Sequence, residues 1–303
     1  MIVRLSLISA GLSLALVGCF GGGGKNADAD GDGIPDAEEE SLGLDPNNAD
    51  SDGDGLNDAD EIAAGSDPLL VDSDMDRLND GDEIANNADP TNPDTDGDGY
   101  YDGDEVTEGS DPADASSKIF EGGWPYYWDK DSIETEQLSG VTSIGSKLTR
   151  FQSKDQFRDK VDFFDYAGPD RTSDWLLIDA SAEWCGPCQA VSLWLGGGAD
   201  YYNLEPDLGD FRAAVDDGSV YWVTVLTQDF NGAPGDVPAA KRWDEEYGHP
   251  NVPVMTDPDK VVEDYIIGYY GGWPAGIAVK LNTMRVKQAG HVLDAAEYIN
   301  GSL

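Results

Sequence analysis

The residues best equipped for chemistry in this 303-residue chain are Cys185 and Cys188, two thiols with two residues between them, close enough to close a small disulfide. Thiol–disulfide exchange runs through a mixed disulfide, so it needs one accessible sulfur of lowered pKa to attack and a second close by to release the product. A thiol at the start of a helix meets unpaired backbone N–H groups and the positive end of the helix dipole, and both favour thiolate. Half of a zinc site and a purely structural bridge are the competing readings. A closed zinc site needs about four ligands, and besides the cysteines the chain has only His249 and His291, both read as structural.

What must position the pair is the stretch before it. Trp175-Leu176-Leu177-Ile178-Asp179-Ala180 is apolar and branched enough for a buried central strand, which would deliver Cys185 at its carboxyl end, where open α/β sheets place their ligand chemistry. Trp184-Cys185-Gly186-Pro187-Cys188 reproduces the thioredoxin-superfamily signature without a gap, and the chain here resembles that family. The resemblance implies that Cys185 is the exposed nucleophile, Cys188 the buried resolving thiol and Asp179 a proton acceptor behind it, with Trp184, Gly186 and Pro187 facing the substrate. In Gly271-Gly272-Trp273-Pro274-Ala275, Pro274 precedes a strand where the superfamily carries its cis-proline, which would set the Trp273 backbone beside Cys185 to pair with an extended substrate segment.

The elements around this centre follow from periodicity and punctuation. A short helix runs from Cys188 to Leu195 and breaks at Gly196-Gly197-Gly198. The patterns predict a helix over Glu205–Asp217, a buried strand over Val220–Leu226, a helix over Pro238–Tyr247, a strand over Val252–Met255, a helix over Asp257–Tyr265, a hairpin strand over Met284–His291 and a terminal helix over Leu293–Asn300. The extra strand and helix before the last strands resemble the TlpA and ResA type of extracytoplasmic thioredoxin-like protein. The expected fold is therefore α/β, a thioredoxin-like mixed sheet flanked by helices. Residues 116–146, rich in aromatics, read as its first packed segment.

A second constellation lies upstream and is acidic. Asp28, Asp30, Asp32, Asp36 and Glu39 stand at positions 1, 3, 5, 9 and 12 of a loop with glycine at 6, the spacing of an EF-hand calcium loop, and the pattern returns every 22 residues. The later units supply Asp50, Asp52, Asp54, Asp58 and Glu61; Asp72, Asp74, Asp76, Asp80 and Glu83; and Asp94, Asp96, Asp98, Asp102 and Glu105. Position 7, at Ile34, Leu56, Leu78 and Tyr100, would donate its backbone carbonyl. Flanking helices of EF-hand length do not fit this period, and with Asp-Pro pairs at Asp45, Asp67, Asp89 and Asp111 the run instead resembles bacterial thrombospondin type 3 repeats. About four structural calcium ions are implied, in an irregular loop array, with no organic cofactor. Met75 and Arg77 replace glycine in the third unit, at about 1 kcal/mol for a non-glycine left-handed turn, and a cation among the ligands should make that site the poorest.

Asp and Glu outnumber Lys and Arg 61 to 18, for a net charge of −43, which excludes nucleic acid and anionic membrane faces as partners. Between Asn26 and Ala113 there are 30 acidic residues against Arg77 alone, so the charge is concentrated in the repeats. Arg4 followed by the apolar run Leu5–Val17, too short to span a bilayer, reads as a secretory leader. It closes on Leu16-Val17-Gly18-Cys19, which resembles the bacterial lipobox and implies lipidation of Cys19. Phe20 in place of an inner-membrane retention signal points to the outer membrane. The expected organisation is a signal peptide over 1–18, lipidated Cys19 and a glycine spacer over 19–27, calcium repeats over 28–115 and the dithiol domain over 116–303. The leading functional expectation is a membrane-tethered thiol–disulfide oxidoreductase, more a reductant than an oxidant, taking protein disulfides and an electron donor. The rival is a calcium-dependent structural or adhesive lipoprotein whose thioredoxin fold only binds.

Overall fold

The computed structural model describes residues 27–134, 142–169 and 171–303. The leader, Cys19 and most of the glycine spacer lie outside the described residues.

Each acidic unit is a loop followed by a two-turn helix: α1 (Asp36–Leu42), α2 (Asp58–Ala64), α3 (Asp80–Asn86) and α4 (Asp102–Glu108). Carboxylates crowd the first turn of all four, where the helix dipole favours them. A left-handed residue, Gly43, Gly65, Asn87 or Gly109, ends each helix before the next Asp-Pro pair. The array is thus more regular than the loop-only pattern suggested, since seven residues suffice for a helix that fits the period.

Successive units bond to one another. Asp54 Oδ2 accepts the Gly81 N–H at 2.7 Å and Asp76 Oδ2 accepts the Gly103 N–H at 2.9 Å. Both contacts need glycine, because a Cβ on Gly81 would stand 3.0 Å from the Asp54 carbonyl oxygen and one on Gly103 2.7 Å from that of Asp76. At the first junction the corresponding residue is Ala59, and Asp32 Oδ2 has no hydrogen-bond partner.

Arg77 corrects an expectation. Its backbone takes the strained left-handed φ of 84°, but its guanidinium pairs with Asp104 at 2.6 Å and lies over the rings of Trp128 and Tyr101. The cation links the third loop to α4 and the downstream aromatic segment instead of sitting among the loop's own ligands.

The second half is built on a five-stranded mixed sheet. β3 (Trp175–Ala182) is central and buried along its whole length. Parallel β4 (Tyr221–Gln228) and then β5 (Val254–Thr256) lie on one side; antiparallel β6 (Ala275–Lys280) and β7 (Arg285–His291) lie on the other. A strand covered on both faces reads as a continuous apolar run, as β3 does. One face packs against α5 (Gly186–Leu195), α6 (Glu205–Asp216) and α9 (Val292–Asn300) through Leu177, Trp194, Phe211, Trp222 and Ile299. The opposite face carries Leu176, Ile178 and Ala180 against Phe163, Phe164, Tyr166 and Ile266. α7 (Val237–Tyr247) closes the carboxyl end of β3 and β4 with Trp243.

Residues 149–167, whose sequence carries only a weak helix and strand pattern, and the helix expected over Asp257–Tyr265 both take their own form. Residues 149–167 form a small hairpin, β1 (Gln152–Lys154) with β2 (Lys160–Asp162), and a 3₁₀ turn, Phe163–Ala167. The helix expected over Asp257–Tyr265 starts later: Asp257 accepts the N–H groups of Val261 and Glu263, and the chain then winds as a π-turn, Glu263–Ile267, into α8 (Gly268–Tyr270). The aromatic segment after the repeats is packed as expected, with Phe120 and Trp124 buried, and the core there includes Tyr100 of the fourth unit. Tyr100 crosses the boundary expected near residue 116.

Gly103→Ala is expected to push apart the third and fourth units at a cost of about 1–3 kcal/mol. A far-UV circular dichroism calcium titration of the variant should show a higher midpoint than wild type; an unchanged midpoint would mean the junction relaxes freely.

Candidate functional site

The dithiol sits where β3 hands over to α5. Cys185 is the N-cap of α5, its Sγ accepting the Cys188 N–H at 3.2 Å, and Pro187 occupies the first turn, where its missing N–H costs nothing. Cys185 and Cys188 are joined as a disulfide. Trp184, Gly186 and Pro187 are exposed around it. Cys185 itself is not the open sulfur that the resemblance implied, being 2% exposed. In the bonded state it packs with Cys188, Ala182, Leu226 and Trp243, and Trp273 leans on that cluster.

Pairing of Ala275 with Ala180 sets Pro274 beside the end of β3 that leads to Cys185, and the Trp273–Pro274 peptide is cis. The indoles of Trp184 and Trp273 meet edge to face, with ring centres 5.1 Å apart. Both are held by consecutive residues at the end of β4. Trp273 Nε1 donates to Thr227 Oγ1 at 2.9 Å, and Trp184 Nε1 donates to Gln228 Oε1 at 2.9 Å. The Gln228 amide is oriented in turn by Glu263 Oε1 at 3.0 Å. Glu183, 2% exposed, receives two hydrogen bonds from Arg242 at 2.8 Å and one from the Phe230 N–H at 3.0 Å, fixing the turn that carries Trp184 and Cys185 to α7. Thr227, Gln228, Glu183 and Arg242 were not singled out from the sequence; nothing in their spacing distinguishes an anchor from an ordinary strand end or helix surface.

Asp179 is fully enclosed on the face of β3 that α5 covers. Its Oδ2 accepts from Ser181 Oγ at 2.9 Å and Thr224 Oγ1 at 3.4 Å, while Oδ1 has no partner. Burial pushes its carboxyl up to about 7, against the pull of those two hydroxyls. An acid poised there can hold or take a proton at neutral pH.

In the repeats the oxygens of positions 1, 3 and 5 converge in the first three loops, whereas position 9 departs from the expected own-loop set through one addition. Asp28, Asp30 and Asp32 bring oxygens within 4.8 Å of one another, as do Asp50, Asp52 and Asp54, and Asp72, Asp74 and Asp76. Glu39, Glu61, Glu83 and Glu105 are fully buried, and neither carboxylate oxygen of any of them has a hydrogen-bond partner. Burial, reinforced by neighbouring aspartates, pushes Glu61 and Glu105 up to about 8 and Glu83 to about 9. Buried acceptors without donors are costly unless a cation completes them, and an all-oxygen set suits a hard divalent ion, so the residues fit calcium. The addition concerns position 9. Asp58 and Asp102 accept from the residue at position 2 of their own loops, Ser51 and Thr95, yet each also groups with the preceding unit, as Asp32–Glu39–Asp58 and Asp76–Glu83–Asp102. Asp36 and Asp80 brace Ala29 and Ser73 in the same way. Asp96 and Asp98 each keep one buried oxygen without a hydrogen-bond partner, and Asp94 accepts from Gly97 and Gly99. Ile34, Leu78 and Tyr100 are buried and Leu56 half-buried at position 7.

Residues 28–49, 50–70 and 94–115 match the model of the bacterial TSP3 repeat. No curated protein matches the chain. Among solved structures, the chain is similar to a thiol:disulfide interchange protein from Bacteroides sp. (17% identity, 53% of this chain and 88% of that one, TM-score 0.36). It is also similar to the thioredoxin domain of a thiol-disulfide oxidoreductase from Bacteroides vulgatus (18%, 54% and 98%, 0.35) and to a thioredoxin-like protein from Bacteroides caccae (10%, 54% and 51%, 0.38). The chain carries bacterial TSP3 repeats, which are calcium-binding repeats, followed by a mixed α/β domain whose five-stranded sheet is flanked by helices.

Proposed function

We propose that this protein is a membrane-tethered thiol–disulfide oxidoreductase that reduces protein disulfides. The observation carrying the proposal is the closed Cys185–Cys188 bond at the N-terminus of α5, bordered by an anchored pair of indoles. In the reduced protein the Cys185 thiolate attacks one sulfur of a substrate disulfide, forming a mixed disulfide and expelling the other sulfur as thiolate. Cys188 gives its proton to Asp179 and attacks Cys185 Sγ, releasing the second substrate sulfur. The substrate gains two electrons and the protein is left with the Cys185–Cys188 bond, which an external dithiol donor must reopen. Trp184 and Trp273 offer apolar faces beside the bond, and the Trp273 backbone offers an edge to an extended segment.

The repeats bind calcium through the four buried glutamates and their aspartate partners, and form a semi-rigid spacer. The leader pattern ending at Cys19 supports a lipid anchor, and the absence of an Asp after it supports the outer membrane. Calcium would supply the charge that lets these carboxylates stay ionised while buried; the chain itself supplies the oxygen cages and the stacking glycines.

Two outcomes test the reductase reading. Cys185→Ser should abolish insulin reduction by the pre-reduced protein, and Cys188→Ser should accumulate a mixed disulfide visible on non-reducing gels. Turnover that survives Cys185→Ser would remove Cys185 as the nucleophile, and a wild-type protein that never turns over would leave the domain as a binding module.

Asp179 gives a pH signature. Because its folded pKa lies above the ordinary carboxyl value, the folded state holds its proton more tightly. The associated stability is fully present below about pH 4 and is lost as pH rises through about 7. Asp179→Asn is therefore expected to melt higher than wild type at pH 8, with the gap closing toward pH 4, while slowing the resolving step by about one to two orders of magnitude. A gap independent of pH would remove Asp179 from the proton path.

A further inference from the structure

The fourth calcium loop is built differently from the other three. At position 7, whose carbonyl the loop spacing assigns to the ion, the first three units carry Ile34, Leu56 and Leu78, none of which joins the core of the dithiol domain. The fourth carries Tyr100, whose N–H donates to Asp98 Oδ1 at 3.1 Å within the loop. Its ring is 6% exposed and belongs to the same apolar cluster as Leu176, Ile178 and Phe164. It meets Phe120 edge-on at 6.3 Å, and its hydroxyl donates to the Trp124 carbonyl at 2.7 Å. One residue therefore gives its side chain to the domain core while its backbone carbonyl would be the one available to an ion in the loop.

Three further contacts tie the same unit down. Lys118 reaches Asp98, with Nζ 3.5 Å from its carbonyl oxygen and 3.7 Å from Oδ2. Tyr126 donates to Glu108 of α4 at 2.6 Å, and Arg77 bridges Asp104 to the Trp128 ring. The segment that receives these contacts is itself fastened to the sheet's outer layer. Trp124 Nε1 donates to Asp155 at 2.7 Å, and the Glu121 N–H donates to Asp159 at 2.7 Å.

We propose that the fourth repeat is a folding partner of the dithiol domain: calcium held by Asp94, Asp96, Asp98 and Glu105 stabilises the sheet through Tyr100, whereas calcium in the first repeat does not. This rests on the calcium reading above. A ligand that binds only the folded form stabilises it by mass action, and here the bound loop and the domain core share a buried side chain. Chelation then weakens the dithiol domain as well as the array.

All eight tryptophans of the chain lie between Trp124 and Trp273, so tryptophan fluorescence reports on the dithiol half, while far-UV circular dichroism also sees helices α1–α4. Thermal unfolding of the full chain should be followed by both signals, with calcium chloride and with a chelator. At calcium about a hundredfold above its dissociation constant, the tryptophan transition of the wild type should rise by roughly 5–10 °C over the chelated protein. The pair Asp94→Asn and Asp96→Asn should remove at least half of that rise, and the pair Asp28→Asn and Asp30→Asn should leave it in place. Tyr100→Leu keeps the position-7 carbonyl, so it should retain the far-UV response to calcium and lose most of the tryptophan response. A far-UV response with an unmoved tryptophan transition, or a first-loop pair as damaging as the fourth-loop pair, overturns the coupling alone. No far-UV response to calcium in any protein overturns the calcium reading and the coupling with it.

Discussion

The structure depends on burying β3 completely while bringing its last residues to the surface. Leu176 to Ala182 have helices or aromatic layers on both faces, and the chain reaches solvent only at Trp184. Because β4 is parallel and equally buried, its end arrives at the same edge, which is how Thr227 and Gln228 come to hold the two indoles. The turn between strand and helix is not left to local preference. Glu183 is clamped by Arg242, a buried charge answered by a bidentate cation, so the position of Cys185 is inherited from α7 as well as from β3.

The repeats solve a different problem. A segment with 30 carboxylates and little aliphatic residue cannot fold by excluding water from a core. It orders its backbone instead through carboxylate–amide bonds: the loop aspartates accept from amides two to seven residues away, and Asp54 and Asp76 extend the same device to the next unit. The glutamates lie outside that hydrogen-bond scheme and account for the demand for a cation.

Much of this was readable in the residues. The dithiol, its strand, the proline at 274 and the period of 22 are local patterns whose physics is short-range, and the helices α6, α7 and α9 fell within a few residues of their predicted limits. What was not readable arises from contacts distant in sequence. The covering of Cys185 depends on Leu226, Trp243 and Trp273, drawn from three later elements. Arg77 looked like an intruder among ligands because its partners, Asp104 and Trp128, are 27 and 51 residues away. The late start of the helix reflects Asp257, which bonds the amides of Val261 and Glu263, beyond the usual capping distance.

The junctions between repeats are not equivalent. Where glycine stands at 81 and 103 the units share a carboxylate–amide hydrogen bond; at Ala59 Asp32 Oδ2 has no such bond, although Asp58 still groups with Asp32 and Glu39. The fourth unit is the one fastened to the dithiol half, through Tyr100, Lys118 and Tyr126, with Arg77 of the third unit pairing beside it.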